Sequence, residues 1–280
     1  VMKQDKGTEI IVDWADNTSV KMSAAQLYDI VFESKNKWML SANGTIFTYE
    51  FEAIIPGLLK RWYAERQEMQ RKMGDCGDNE IERAYWDKRQ LVKKINLNSL
   101  YGALLNPGCR FFDIRIGQSV TLTGRCITKH MAAKVNDIVA GKYDHVGKSI
   151  IYGDTDSVYF TAHKTLKNDI NAGKITWNKD SVIALYDKIA EELNTTFTSF
   201  MTKAFHCPHT RGAVIQAGRE LVAIKGLFIT KKRYAVLYYV KEGERVDNAG
   251  KEGKVKAMGL DLKRSDTPIF VQDFLSDILY

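Results

Sequence analysis

Tyr152-Gly153-Asp154-Thr155-Asp156-Ser157 sets two carboxylates two positions apart, between the short β-favouring runs Ser149-Ile150-Ile151 and Val158-Tyr159-Phe160. Branched and aromatic residues on either side of a Gly-Asp turn read as a hairpin with the acids at its tip. In an extended segment the side chains at i and i+2 point the same way, which directs Asp154 and Asp156 to one place and turns Thr155 away. Carboxylates gathered at one point suit hard divalent cations, and Mg2+ prefers carboxylate oxygens together with substrate phosphates. Two such ions about 3.5–4 Å apart clamp the attacking and leaving oxygens of an in-line displacement at phosphorus. The stretch therefore points to metal-dependent phosphoryl transfer. Taken alone, the same residues also fit plain turn chemistry, because Asp and Gly favour hairpin loops for local hydrogen-bonding reasons.

Some fifty residues upstream lies a second informative stretch. From Glu80 to Leu104 there is no Pro and one Gly, and Ile81, Tyr85, Leu91, Ile95 and Leu104 recur at helical spacing, so the pattern predicts one long helix. Gln90, Lys94, Asn98, Tyr101 and Gly102 form a single stripe along it. Its core, Lys94-Ile95-Asn96-Leu97-Asn98-Ser99-Leu100-Tyr101-Gly102, fits the pattern Lys-x-x-x-Asn-Ser-x-Tyr-Gly. That pattern resembles the nucleotide-binding finger helix of family B DNA polymerases. Further stretches are similar to the same family in the same order. Lys231-Lys232-Arg233-Tyr234-Ala235 resembles the segment that lies against the primer end, and Met258-Gly259-Leu260 with Thr267-Pro268 resembles the approach to the thumb. The wording around them most resembles the replicative polymerases of T-even-type bacteriophages. The helix beginning at Pro56 is similar to the other finger helix, with Arg66 at the position of a triphosphate-gripping arginine. One turn later, where the family places another basic residue, this chain has Gln70.

The resemblance implies a set of roles. Asp154 and Asp156 would be catalytic and hold two Mg2+ ions, with Mn2+ able to substitute, Asp154 matching the metal-bridging carboxylate. Glu220 resembles a third acid near the metals, although a surface salt bridge accounts for it equally well. Arg66, Lys94, Asn98 and Tyr101 would bind the incoming nucleotide: Lys94 by neutralising phosphate charge, Arg66 by a bidentate grip, Tyr101 by ring contact. Gly102, Lys231, Lys232, Arg233 and Tyr234 would contact primer-template DNA. Deoxynucleoside triphosphates and a sliding clamp on the full enzyme complete the implied partners. The family also carries a third essential aspartate in an Asp-x-x-Ser-Leu-Tyr-Pro-Ser segment, and no such segment occurs between Val1 and Pro56. The expectation is therefore an incomplete piece, whose activity depends on an N-terminal polymerase segment bearing the exonuclease region and that aspartate. The competing expectation is a catalytically silent DNA- and nucleotide-binding subunit; a two-metal nuclease would have no use for the finger-helix stripe.

Composition agrees. The chain has 280 residues, 45% hydrophobic and 27% charged, ordinary for a globular protein with a core. With 41 Lys and Arg against 34 Asp and Glu, its net charge of +7 suits a polyanionic partner. Cys76, Cys109, Cys126 and Cys207 show neither zinc spacing nor disulfide-scaffold density, which points to a reducing, cytoplasmic setting. No apolar stretch is long enough to span a bilayer. The expected class is α+β: a palm of antiparallel sheet with packed helices, plus a two-helix antiparallel fingers subdomain. The expected boundaries are a connecting lobe at 1–52, fingers at 53–104, palm at 105–264 and the start of a thumb at 265–280. Expected helices cover Ser23 to Glu33, Pro56 to Met73, Glu80 to Leu104, Leu122 to Val139, Ser181 to Lys203 and Phe270 to Tyr280. Expected strands, besides the carboxylate hairpin, cover Glu9 to Asp13, Thr45 to Phe51, Ala213 to Ala217, Leu221 to Ile229 and Tyr234 to Val240.

Overall fold

The computed structural model describes residues 5–247 and 250–279, less the side chain of Lys263. These fall into two compact units, the first running to Thr123 and taking in Met201–Pro208, the second comprising Gly124–Phe200 and the chain from His209 onward.

In the first unit, β1 (Glu9–Asp13) and β2 (Ser19–Ser23) form an antiparallel hairpin in the register Glu9↔Ser23. Ser23 ends the hairpin and caps α1 (Ala24–Tyr28) through a reciprocal box: its hydroxyl accepts from Gln26 N at 3.2 Å, and the Gln26 side chain accepts from Ser23 N at 2.8 Å. A π-helical turn, Asp29–Glu33, continues α1, so the helical stretch expected from Ser23 to Glu33 is part α-helix and part π-helix. β3 (Trp38–Leu40) pairs with β4 (Ile46–Thr48), which is shorter than the expected run to Phe51. A small core of Leu27, Val31 and Leu40 joins these pieces, with Ile10, Val12, Met22 and Ile46 packed on it.

Two long helices follow in the same unit, α2 (Ile54–Asp75) and α3 (Glu80–Leu104). Pro56 sits in the first turn of α2, where a missing N–H costs no intrahelical bond. Gly74 and Asp75, expected in the link, are helical, so the turn shrinks to 76–79, and Asn79 caps α3 by accepting from Glu82 N at 3.2 Å. Lys93 pairs with Glu65 at 2.5 Å across the two helices. α2 buries no residue fully and α3 only Leu104, and the pair is linked by contacts such as Arg66 Nε to Gln90 Oε1 and Lys93 over the Trp62 ring.

α4 (Ile114–Ala140) begins in the first unit and ends in the second, where β5 (Ile150–Asp154) and β6 (Ser157–Phe160) form the carboxylate hairpin. Then come α5 (His163–Asn171), α6 (Lys179–Phe205), α7 (His209–Gly212), β7 (Leu221–Thr230), β8 (Arg233–Lys241), β9 (Glu244–Arg245), β10 (Lys254–Met258) and α8 (Ile269–Leu279). Tyr280, included in the expected last helix, lies outside the described residues. β8 lies between β7 and β10 and also pairs with β9, and every strand pair among the described residues is antiparallel. Val135 of α4 meets Ile189, Leu193 and Phe197 of α6 in a core that Ile150 and Phe160 of the hairpin cover, while Val182, Val222, Tyr239 and Val240 form a second. This is an α+β fold with antiparallel sheet and packed helices.

The run Ala213 to Ala217, expected as a strand, is not one. The Asn194 amide on α6 takes the role of a neighbouring strand, donating to Ala217 O at 2.9 Å and accepting from Ala217 N at 2.7 Å. Once a side chain satisfies these groups, no ladder is required there.

Candidate active site

The hairpin register pairs Gly153 with Val158 and Asp154 with Ser157, leaving Thr155 and Asp156 as a two-residue turn. The turn is thus two positions later than the Gly153-Asp154 turn read from the sequence. This corrects the argument from strand alternation: Asp154 ends a strand, Asp156 sits in the turn, and Thr155 between them is left-handed at φ 49°. Thr155 Oγ1 donates to Asp154 Oδ1 at 3.1 Å and Ser157 Oγ to Asp154 O at 3.2 Å. The Asp154 side chain is 23% exposed, whereas Asp156 is open. Behind the hairpin, the buried Asn136 of α4 donates to Lys142 O at 2.7 Å and accepts from Ser149 N at 3.1 Å, fixing where β5 begins. Gly147 makes that approach possible, because a Cβ there would lie 2.2 Å from the Asn136 amide.

A second tight turn meets the first. Thr230 pairs with Arg233, so Lys231 and Lys232 alone connect β7 to β8, and Lys232 is left-handed at φ 62°. Its backbone N donates to Tyr152 OH at 2.7 Å, and its Nζ lies 3.9 Å from Asp154 Oδ2. Gly259 follows β10 at φ 62°, and a Cβ on it would fall 2.1 Å from Lys232 O. The Met-Gly-Leu stretch therefore needs glycine twice over, for its backbone angle and for its closeness to the lysine turn. Tyr152, Tyr159, Phe228 and Tyr234 pack ring against ring at centroid distances of 5.3–6.2 Å, with Tyr159 OH donating to Tyr234 OH at 3.3 Å. Burial, then the Tyr234 hydroxyl, pushes the Tyr159 phenol far above its ordinary pKa, so it stays protonated. Tyr234, expected against DNA, is 6% exposed; its ring joins the hairpins, and the open members of that segment are Lys231, Lys232 and Arg233.

A cavity of about 580 Å³ opens between β6 and β7, floored by α4 and α6. Asp156, Arg219 and Glu220 line it; Asp154 does not. Glu220 is ion-paired with Lys256 at 2.7 Å, the salt bridge left open from the sequence. Arg219 pairs with Asp187 at 2.6 Å, yet its Nη1 is buried without a hydrogen-bond partner among the described residues. Among the described residues no group of three or more His, Cys, Asp or Glu side chains is arranged to hold a metal ion. The hard carboxylate oxygens at the turn nonetheless suit Mg2+, which typically binds one or two protein carboxylates and completes its shell with water and phosphates.

The stripe expected to bind nucleotide belongs to the first unit. Arg66 Nε on α2 donates to Gln90 Oε1 on α3 at 3.2 Å, which ties Arg66 to the stripe. Lys94, Asn98 and Gly102 are exposed along one face, and a Cβ on Gly102 would meet nothing within 4 Å. Tyr101 is half-buried, with its hydroxyl 3.5 Å from Gly117 O. Sequence reading missed Thr128, Asn136 and the pairing role of Tyr152, because each acts on a backbone group distant in sequence.

The family described as DNA polymerase family B matches residues 12–280. The DNA-directed DNA polymerase of Escherichia phage RB69 is 29% identical over 200 residues, covering 68% of this chain and 22% of its own length. That of Enterobacteria phage T4 is 31% identical over 202 residues, 67% of this chain and 21% of its own. The DNA polymerase delta catalytic subunit of Oryza sativa subsp. japonica is 27% identical over 232 residues, 82% of this chain and 18% of its own. A solved family B DNA polymerase from Pyrobaculum calidifontis aligns with 81% of this chain and 23% of its own at a TM-score of 0.46 and 20% identity. The chain thus spans less than a quarter of the length of these relatives, and the family match extends across nearly all of it: the chain belongs to DNA polymerase family B.

Proposed function

We propose that this chain supplies the fingers and the carboxylate-bearing palm of a template-directed DNA polymerase, which adds deoxynucleotides to a primer 3′ end. The observation that carries the reading is the meeting of two tight turns in a family B chain, one bearing Asp154 and Asp156, the other Lys231 and Lys232. Asp156 is the more accessible acid, open in the turn and facing the cavity, while Asp154 has Lys232 beside it. Bound Mg2+, or Mn2+ in its place, would be held by these carboxylates and would neutralise charge on the transferring phosphoryl group. Lys94 and Arg66 counter the triphosphate's charge, Arg66 through guanidinium nitrogens other than the Nε that Gln90 occupies. Lys231, Lys232 and Arg233 hold primer-template phosphates, contacts that position DNA without reading sequence.

The same reading assigns the cavity an occupant. Among the described residues β6 pairs only with β5 and β7 only with β8, so each keeps a free edge, and both strands and Arg219 line the cavity. An extended segment with its own aspartate, from an N-terminal polymerase portion, would satisfy these edges and add a carboxylate. Primer extension with Mg2+ and four deoxynucleoside triphosphates tests this, using the chain alone and mixed with a polypeptide carrying the Asp-x-x-Ser-Leu-Tyr-Pro-Ser segment. Extension in the mixture, abolished by Asp156→Ala, is the expected result. Primer-template binding without extension in either sample would favour a DNA- and nucleotide-binding module, the reading suited to a site with few carboxylates of its own.

A further inference from the structure

We infer that Thr128 is a positioning residue, whose hydroxyl fixes the carboxylate turn by holding the Thr155 carbonyl; this rests on the reading of Asp154 and Asp156 as metal-holding acids. Thr128 Oγ1, on α4, lies 2.7 Å from Thr155 O, a hydrogen bond that reaches the turn's backbone from outside the hairpin. The same hydroxyl lies 3.1 Å from Gly124 O one helical turn back, and its single proton serves the shorter contact.

The turn needs such support. Thr155 is β-branched and sits at φ 49°, a conformation that costs a non-glycine residue on the order of 1–3 kcal/mol and persists only where its surroundings impose it. The side-chain bonds within the hairpin, from Thr155 Oγ1 and Ser157 Oγ, both end on Asp154 and do not reach the Thr155–Asp156 peptide. Rotation of that peptide plane would reverse the Thr155 carbonyl and swing the Cα–Cβ bond of Asp156. A donor fixed on a 27-residue helix selects one orientation and so sets the direction in which the open carboxylate points. Thr128 also lines the cavity that Asp156 faces, so its hydroxyl acts on the side where a cation would bind.

The test is Mn2+ binding to the 280-residue chain, followed by electron paramagnetic resonance, for wild type, Thr128→Val, Thr128→Ser and Asp156→Ala, with a melting curve for each. Valine keeps the shape and loses the hydroxyl; serine keeps the hydroxyl. The expected result is an affinity lowered about tenfold by valine, as for other residues that orient a metal ligand. Serine should restore affinity to near wild type, with the melting temperatures alike. A role confined to stability would lower the valine melting point and leave Mn2+ affinity unchanged, which overturns the inference. So would equal losses in valine and serine. If Asp156→Ala binds Mn2+ as wild type does, the metal reading itself falls and takes the inference with it. If Asp156→Ala weakens binding and Thr128→Val does not, only the inference is lost.

Discussion

At the scale of single residues, the two acids of the hexapeptide are not equivalent. Asp156 is open in the turn and faces the cavity, while Asp154 is partly covered and lies beside Lys232. In the primer-extension mixture proposed above, Asp156→Ala is expected to lower extension by at least about 10²-fold, as loss of a principal electrostatic contributor does. Measured beside it, Asp154→Ala would separate metal holding from pairing with Lys232. Gly259→Ala is expected to destabilise the fold by about 2 kcal/mol or more, since it adds a clash with Lys232 O to a left-handed backbone; urea unfolding reads this directly. His130 provides a pH test. Thr196 Oγ1 donates to Leu193 O at 2.7 Å, so it accepts from His130 Nε2–H at 3.0 Å, and Nδ1 accepts from Tyr143 OH at 2.8 Å. The neutral ring is fully bonded and stacks on Phe200, and burial, then Lys134, lowers its pKa. The folded state thus disfavours the proton that the unfolded chain accepts near its ordinary pKa of about 6.5. The contribution is complete above that value and is lost as pH falls below it. Urea midpoints at pH 7.5 and 5.5 should show this loss, and His130→Gln should lessen it.

At the scale of elements, the carboxylate hairpin is held from behind by a helix rather than by a wide sheet. Asn136 satisfies two backbone groups at the start of β5, and Asn136→Leu would leave both without a partner in a buried setting. The expected cost is about 2–4 kcal/mol, read from urea unfolding. Most of these elements were legible in the sequence. The α3 boundaries were read as they stand because apolar spacing continues unbroken from Glu80 to Leu104, and β7 and β8 were placed to within a residue or so. The misreadings have separate causes. Ala213 to Ala217 carries strand-forming residues, but Ala213 N and Ile215 N bond back to His209 O and Gly212 O, and a distant asparagine takes both backbone groups of Ala217. The carboxylate turn moved by two residues because Thr155 accepts a left-handed angle that its branched side chain disfavours.

At the scale of the whole molecule, charge and exposed edges govern behaviour. A net charge of +7, with Lys231, Lys232 and Arg233 open at one turn, predicts primer-template affinity that falls as salt rises. Affinities measured between 50 and 200 mM salt check this, and a Lys231→Ala, Arg233→Ala double variant should flatten the slope by about two. The free edges of β6 and β7 predict self-association of the chain in solution. Analytical ultracentrifugation that found a monomer across concentrations would contradict it.

The sequence by itself determined the family, the helical hairpin with its polar stripe and the presence of two acids in a β-hairpin, because these depend on local spacing and residue type. Tertiary structure decided which acid faces the cavity, that Tyr234 is buried, that Glu220 is paired with Lys256, and that Thr128 and Tyr152 brace the two turns. Each of these depends on a hydrogen bond, an ion pair or a ring contact between residues from 27 to 82 positions apart, or on the space left between strands. Periodicity along the chain carries no record of such encounters; they exist only once the elements have packed.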